Sequence, residues 1–172
     1  NFTGALADYE SEHPALGSLV FIVFAALSVM LGPFTSVPLV PSAVLIWGVG
    51  LTFAFLLFGW LIGNSIAFVL GRYLGYPLVA KIVGQTRLEE WLATLKPRLN
   101  FAVLLLFRLA TPSETGYVFG LLKYGFKKYL LLTFIAELPF AVITVYASDA
   151  FTQAGWASFL GLVSLWFLII VA

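Results

Sequence analysis

The chain has 172 residues, of which 62% are hydrophobic and 10% charged, and its mean hydropathy is +1.04. A soluble domain carries roughly a quarter charged residues, so this composition leaves too few charges to coat a water-facing surface and points to lipid as the solvent. With no cysteine, the chain has neither a disulfide framework nor a thiolate metal site, and its single histidine, His13, stands far from the other polar clusters.

Asn1 to His13 is polar and acidic, unlike the basic start of a secretory signal. Ala15 to Leu31 follows as an uncharged apolar stretch long enough to cross a bilayer as a helix. Gly32 to Gly48 is also apolar but carries Pro33, Pro38 and Pro41. Proline removes a donor and kinks a helix, so a continuous helix is not expected there. Val49 to Gly71 reads as a second span ended by Arg72. Tyr76 to Leu99 is polar and reads as short helices on the membrane surface; Leu88, Trp91, Leu92 and Leu95 fall at helical spacing opposite Arg87, Glu90 and Lys96. In Asn100 to Leu122 a polar run from Arg108 to Gly116 separates two apolar arms. Leu130 to Ser148, interrupted by Glu137 and Pro139, is a third span, and Gly155 to Ala172 a fourth.

The pattern predicts an all-α polytopic membrane protein with about four spanning helices and two re-entrant hairpins, over residues 32–48 and 100–122. Broken backbone at membrane depth survives only when buried in protein or lining a wet cavity. The chain is expected to form a single transmembrane domain over 1–172, with 1–13 outside and an amphipathic helical segment over 76–99. Read backwards, the second half resembles the first, as in an inverted-topology repeat. The alternative is that both hairpins are kinked spanning helices. All nine Lys and Arg lie between Arg72 and Lys128. By the positive-inside rule this central part faces the cytoplasm, in a bacterial or archaeal plasma membrane.

Ionisable groups inside apolar segments are functional candidates. Here they are Arg108, Glu114 and Glu137. An arginine fork suits phosphate, and a carboxylate in a low dielectric can exchange protons, so Glu114 and Glu137 are the proton-coupling candidates. Thr111, Ser113 and Asn64 are the polar groups expected to complete a substrate site with Arg108. A structural alternative pairs Arg108 with Glu114 or Glu137 as a staple. Gly59 and Gly63 give a small-residue face for helix packing. Trp47, Trp60, Trp91, Trp156 and Trp166 are expected mostly at the interface or facing lipid. No nucleophile elbow, metal motif or nucleic-acid signature stands out, so no catalytic residue, metal or cofactor is expected.

Gly32-Pro33-Phe34-Thr35-Ser36-Val37-Pro38, Gly63-Asn64-Ser65 through Gly71-Arg72-Tyr73-Leu74-Gly75, Phe107-Arg108-Leu109-Ala110-Thr111-Pro112-Ser113, and Gly120-Leu121 followed by Phe126-Lys127-Lys128-Tyr129 occur in this order. Together they resemble the DedA family, also called SNARE-associated or VTT-domain proteins, over roughly residues 30 to 150. The resemblance implies facing re-entrant hairpins and movement of lipids across the bilayer, either polyprenyl phosphate or phospholipid, with proton coupling proposed for some members. Arg108 matches the family's second-hairpin arginine. Bacterial members often carry a Glu in the first hairpin, whereas Gly32 to Gly48 holds no acid. The expected function is therefore a flippase or scramblase that binds lipid headgroups, with protons as a further partner and a homo-oligomer as a candidate assembly. The rival readings are an ion-coupled transporter of a small solute and a non-transporting membrane scaffold.

Overall fold

A computed structural model describes residues 14–31, 35–97, 100–111 and 114–154. The expected outer segment 1–13, the fourth span 155–172 and the candidate Ser113 lie outside the described residues. Among the described residues every regular element is helical. Helix α1 runs Pro14–Met30, and a 3-10 turn, Val37–Leu39, precedes α2, Val40–Val83. Then come α3 (Gln85–Leu95), α4 (Phe101–Ala110), α5 (Thr115–Leu121) and α6 (Phe126–Ala154). Of these, α2 together with the preceding turn, and α6, are long and apolar enough to cross a membrane.

Helix boundaries depart from the sequence pattern where proline and arginine were read as stops. Pro38 sits at the start of the 3-10 turn and Pro41 in the first turn of α2, positions where no helical donor is needed. The helix therefore begins at Val40, inside the segment expected to be broken. It also continues past Arg72. At 44 residues a straight α2 would rise about 66 Å, twice the roughly 30 Å of a hydrocarbon core. The interruptions are glycines instead: Gly48 has φ +74° and Gly75 φ +71°, left-handed values that an L residue adopts only with strain. Likewise α6 runs unbroken through Glu137 and Pro139. Pro139 merely leaves the Ile135 carbonyl without its helical donor, a loss that membrane helices tolerate.

The chain divides into two compact units. Of the described residues, the first holds 14–25, 35–59 and 138–154. Within it Trp47 meets Phe21 and Phe55 edge-on, each at 5.5 Å. Gly59 lets α2 pass close to Ile22 and Ala25, since a Cβ there would lie 2.7 Å from the Ile22 carbonyl oxygen. Phe21, Phe24, Ala43, Ile46 and Trp47 help line an apolar cavity of about 280 Å³.

The second unit holds the described residues 26–31, 60–97, 100–111 and 114–137. Its part of α2 buries Trp60, Gly63, Asn64, Ala67, Phe68 and Gly71, a stripe at i, i+3, i+4 spacing. Of the five tryptophans, expected mostly at the interface or facing lipid, Trp60 is buried in this stripe. Glycines permit three close approaches. A Cβ on Gly63 would strike the Ala26 carbonyl, one on Gly71 the Tyr117 carbonyl, and one on Gly120 the Phe68 carbonyl. On α3, Leu88, Leu92 and Leu95 are buried in the same core cluster as Phe68, Leu104 and Phe119. The amphipathic stripe read in the sequence thus faces protein, with Arg87, Glu90 and Lys96 exposed. Outward-facing apolar residues occur in each unit: Leu106 is 66% exposed in the second and Phe58 57% in the first, as lipid contact requires and water contact disfavours.

Gly120→Ala forces a methyl group into the Phe68 backbone, whereas Gly125→Ala meets nothing within 4 Å. Thermal unfolding in detergent should show Gly120→Ala destabilised by about 1–3 kcal/mol and Gly125→Ala near wild type. Equal midpoints for the two variants would contradict this packing.

Candidate functional site

Unit two encloses a charged cluster. Arg108 stands in the last turn of α4, one turn beyond the buried Leu104, and only 4% of its surface is exposed. Glu137 on α6 is 7% exposed. An Arg108 Nη2 to Glu137 Oε1 contact of 2.5 Å joins them as an ion pair. Of the two acids that the sequence offered as partners, the pairing is with Glu137.

Buried this deeply, neither charge can use water, so other polar groups must complete its hydrogen bonding. Asn64 on α2 does so on both sides. Its Oδ1 accepts from Arg108 Nη2 at 2.9 Å, and its Nδ2 donates to Glu137 Oε1 at 3.1 Å and to the Trp60 carbonyl at 3.0 Å. Flipping the amide would set donor against donor at Arg108 and acceptor against acceptor at Glu137, so the network itself fixes the orientation. Arg108 Nη1 also donates to Thr115 Oγ1 at 3.2 Å.

Tyr129 joins the cluster from α6. Its hydroxyl lies 3.2 Å from the Asn64 carbonyl and 3.3 Å from Asn64 Oδ1. Tyr129, Thr133 and Glu137 are spaced four apart on one buried helix face. The ring of Tyr129 stacks on Phe68 at 4.7 Å, which holds the hydroxyl in place. Gly116 makes room, because a Cβ there would lie 2.8 Å from the Tyr129 hydroxyl and 3.4 Å from Asn64 Oδ1.

The structure thus gathers three of the residues singled out in the sequence, Arg108, Asn64 and Glu137, and adds Thr115 and Tyr129. Of the other candidates, Thr111 bonds locally and Glu114 starts the next helix through its backbone. Thr111 donates to the Phe107 carbonyl at 2.5 Å, a local bond at the end of α4. Glu114 precedes α5, where its backbone carbonyl accepts from the Tyr117 amide at 3.2 Å. Thr115 and Tyr129 carried a weak signal in the sequence. Tyr129 lies two helical turns before Glu137 on one face, and Thr115 adjoins Gly116, the small residue that a close approach needs.

With the helix order, the paired α4–α5 break and this arginine in view, comparison with known proteins becomes informative. The family model described as VTT domain matches residues 22–150, well over half of the 172 residues. The chain belongs to the VTT domain family. No curated protein and no solved structure matches it. The VTT domain is the domain of the DedA or SNARE-associated proteins, which makes this a membrane protein of that family. The matched span contains the entire cluster from Asn64 to Glu137.

Removing one member of a buried ion pair leaves the other charge unpaired, at a cost of about 3–5 kcal/mol. Arg108→Gln and Glu137→Gln singly should each lower the thermal midpoint in detergent sharply. The double variant should recover much of the loss. Additive losses in the double-mutant cycle would contradict the pairing. Tyr129→Phe, which removes only a hydroxyl, should cost about 1 kcal/mol by the same measurement.

Proposed function

We propose that this VTT-domain protein moves the phosphate headgroup of a membrane lipid, a polyprenyl phosphate or a phospholipid, across the bilayer. The observation that carries the reading is the buried Arg108, held by a carboxylate and two neutral hydrogen-bonding groups, Asn64 and Thr115. A guanidinium is a fork of donors matched to phosphate oxygens. Glu137 occupies that fork in the resting arrangement. A lipid phosphate takes its place when Glu137 accepts a proton, so that the site stays close to neutral throughout. Headgroup binding and proton uptake are then linked, because either alone leaves an unpaired buried charge. Thr111 and Glu114 border the α4–α5 break, and with Ser113 they serve the headgroup as it enters or leaves.

Helix lengths support the hairpin on which this depends. With 10 and 7 residues, α4 and α5 rise only about 15 and 10 Å, too short to cross a core of roughly 30 Å. Thr111 at the break is extended, with φ −125° and ψ 155°. The pair reads as a re-entrant hairpin entered and left on the side of the basic residues, which faces the cytoplasm by the charge rule. The tail of the lipid stays in the bilayer, beside the exposed apolar residues.

A second reading is favoured by the same ion pair: Arg108 and Glu137 are a staple in a non-transporting scaffold. The double variant Arg108→Gln/Glu137→Gln separates the two, because it removes both charges without stranding either. Wild type and double variant are to be reconstituted in liposomes with a labelled polyprenyl phosphate or a labelled phospholipid. Wild type should move at least one label, and the double variant should be slower by roughly tenfold or more, equivalent to about 1.4 kcal/mol of barrier. A double variant that transports like wild type overturns the assignment of Arg108. A wild type no faster than empty liposomes, with and without a pH gradient, overturns lipid transport itself.

A further inference from the structure

Two local choices in unit two run against backbone and helix electrostatics, and both place positive charge at one spot. The first is Lys123. Helix α5 ends in a double hydrogen-bonded cap, with Lys123 N–H donating to the Gly120 carbonyl at 2.9 Å and Tyr124 N–H to the Phe119 carbonyl at 3.2 Å. This cap requires a left-handed residue, a place where glycine is usual. Lys123 fills it with φ +56°, the one positive φ at a non-glycine among the described residues. Glycine would relieve the strain, so the side chain must contribute something else.

The second is the start of α6. The N-terminal turn of a helix favours acids and disfavours cations, because its free N–H groups carry partial positive charge. The first turn of α6 has no acid and instead holds Lys127 and Lys128, both exposed. Two violations at one place mark a site better than either does alone.

Arg72 converges on the same spot. Its guanidinium lies over the Phe68 ring at 6.0 Å, and Nη1 donates to the Tyr124 carbonyl at 3.4 Å. Phe126, beside Lys127, packs on the same Phe68 ring at 5.4 Å. Among the described residues none of these cations is in an ion pair; the acid pair bound to a cation is that of Arg108. Glu89 does not answer them either. Gln85 and Tyr76 each donate to its carboxylate at 3.0 Å, and these bonds, that from Gln85 foremost, hold its pKa below the usual value.

We propose that Arg72, Lys123, Lys127 and Lys128 form a docking face for the phosphate of anionic bilayer lipids, at the membrane surface and separate from Arg108. Phe126 beside it is 39% exposed and rests on the buried Phe68 ring, so the face offers a lipid both a charged and an apolar contact. Free phosphate would satisfy only the first. Basic residues near a membrane surface attract anionic lipid, each by a factor of about fivefold, and with no acid paired to them among the described residues these residues keep that attraction.

The test is an equilibrium one and needs no lipid movement, so its outcome is independent of the transport reading. Full-length protein is reconstituted in phosphatidylcholine vesicles containing spin-labelled phosphatidylglycerol or spin-labelled phosphatidylcholine. The motionally restricted fraction of each label gives the preference for the anionic lipid. Wild type should prefer phosphatidylglycerol. Lys123→Gly should lower that preference severalfold and melt at or above the wild-type temperature, since it relaxes the left-handed residue. Lys127→Gln/Lys128→Gln should lower it comparably, and Lys81→Gln/Arg87→Gln, on basic residues away from this turn, should not. Unchanged preference in Lys123→Gly and in Lys127→Gln/Lys128→Gln overturns the proposal. So does an equal loss in Lys81→Gln/Arg87→Gln, which would mean general charge rather than a site. A Lys123→Gly protein that melts below wild type assigns the lysine to the fold and overturns its part in the face.

Discussion

A guanidinium buried among helices has no water to turn to, and how Arg108 is satisfied determines much of the second unit. The carboxylate of Glu137 supplies charge, but one carboxylate cannot use every donor of the fork. Asn64 and Thr115 take up further donors, which places helices α2, α4, α5 and α6 against one another at fixed registers. Tyr129 then holds Asn64 from its remaining side. Each of these groups has a reason to be near the arginine, and none has a comparable reason to be buried without it.

Such a cluster needs helices closer than ordinary side chains allow. The glycines of α2 and α5 supply that closeness. Gly71 and Gly120 let backbone carbonyls of the facing helix occupy the space of a Cβ, and Gly116 admits the Tyr129 hydroxyl beside Asn64. Between membrane helices, where lipid is as apolar as leucine, close backbone packing and interhelical hydrogen bonds carry the association. Here the two are one arrangement: the glycines bring the helices near, and the polar cluster fixes their register.

The sequence disclosed this cluster unevenly. Arg108 and Glu137 stood out because a charge in an apolar run is costly, and Asn64 because it follows Gly63 on a small-residue face. Thr115 and Tyr129 did not, since a threonine in a polar turn and a tyrosine after two lysines have ordinary explanations. Thr111 was chosen for proximity to Arg108 in sequence, but its hydroxyl bonds back to the preceding turn, a local option open to any threonine at a helix end. The helix–break–helix pattern over 100–122 and the apolar stripe of α3 followed from polarity and spacing. The limits of α2 and α6 did not. Pro41 and Pro139 were weighed as breakers without regard to where in a helix they fall, while the interruptions at Gly48 and Gly75 depend on a positive φ that composition does not reveal. That α3 buries its leucines in protein rather than lipid is likewise a tertiary fact, invisible to periodicity.

The same chain therefore holds its cations in two opposite states. Arg108 is matched, buried and wrapped in neutral donors and acceptors, so on the proposed reading its charge meets a lipid phosphate when Glu137 gives way. Arg72, Lys123, Lys127 and Lys128 are exposed, and among the described residues none of them is in an ion pair; Lys123 takes a left-handed φ and the first turn of α6 holds no acid. A matched charge is selective because displacement must be coupled to something, such as a proton arriving at the carboxylate. An unmatched charge gathers anions without discrimination and without a trigger. On the proposed reading, capture at a surface and passage through an interior place these different demands on a cation, the first needing availability and the second needing control. The fold separates them by burial: four residues along α2, from Asn64 to Phe68, lead from the helix face that bonds Arg108 to the ring on which Arg72 and Phe126 rest.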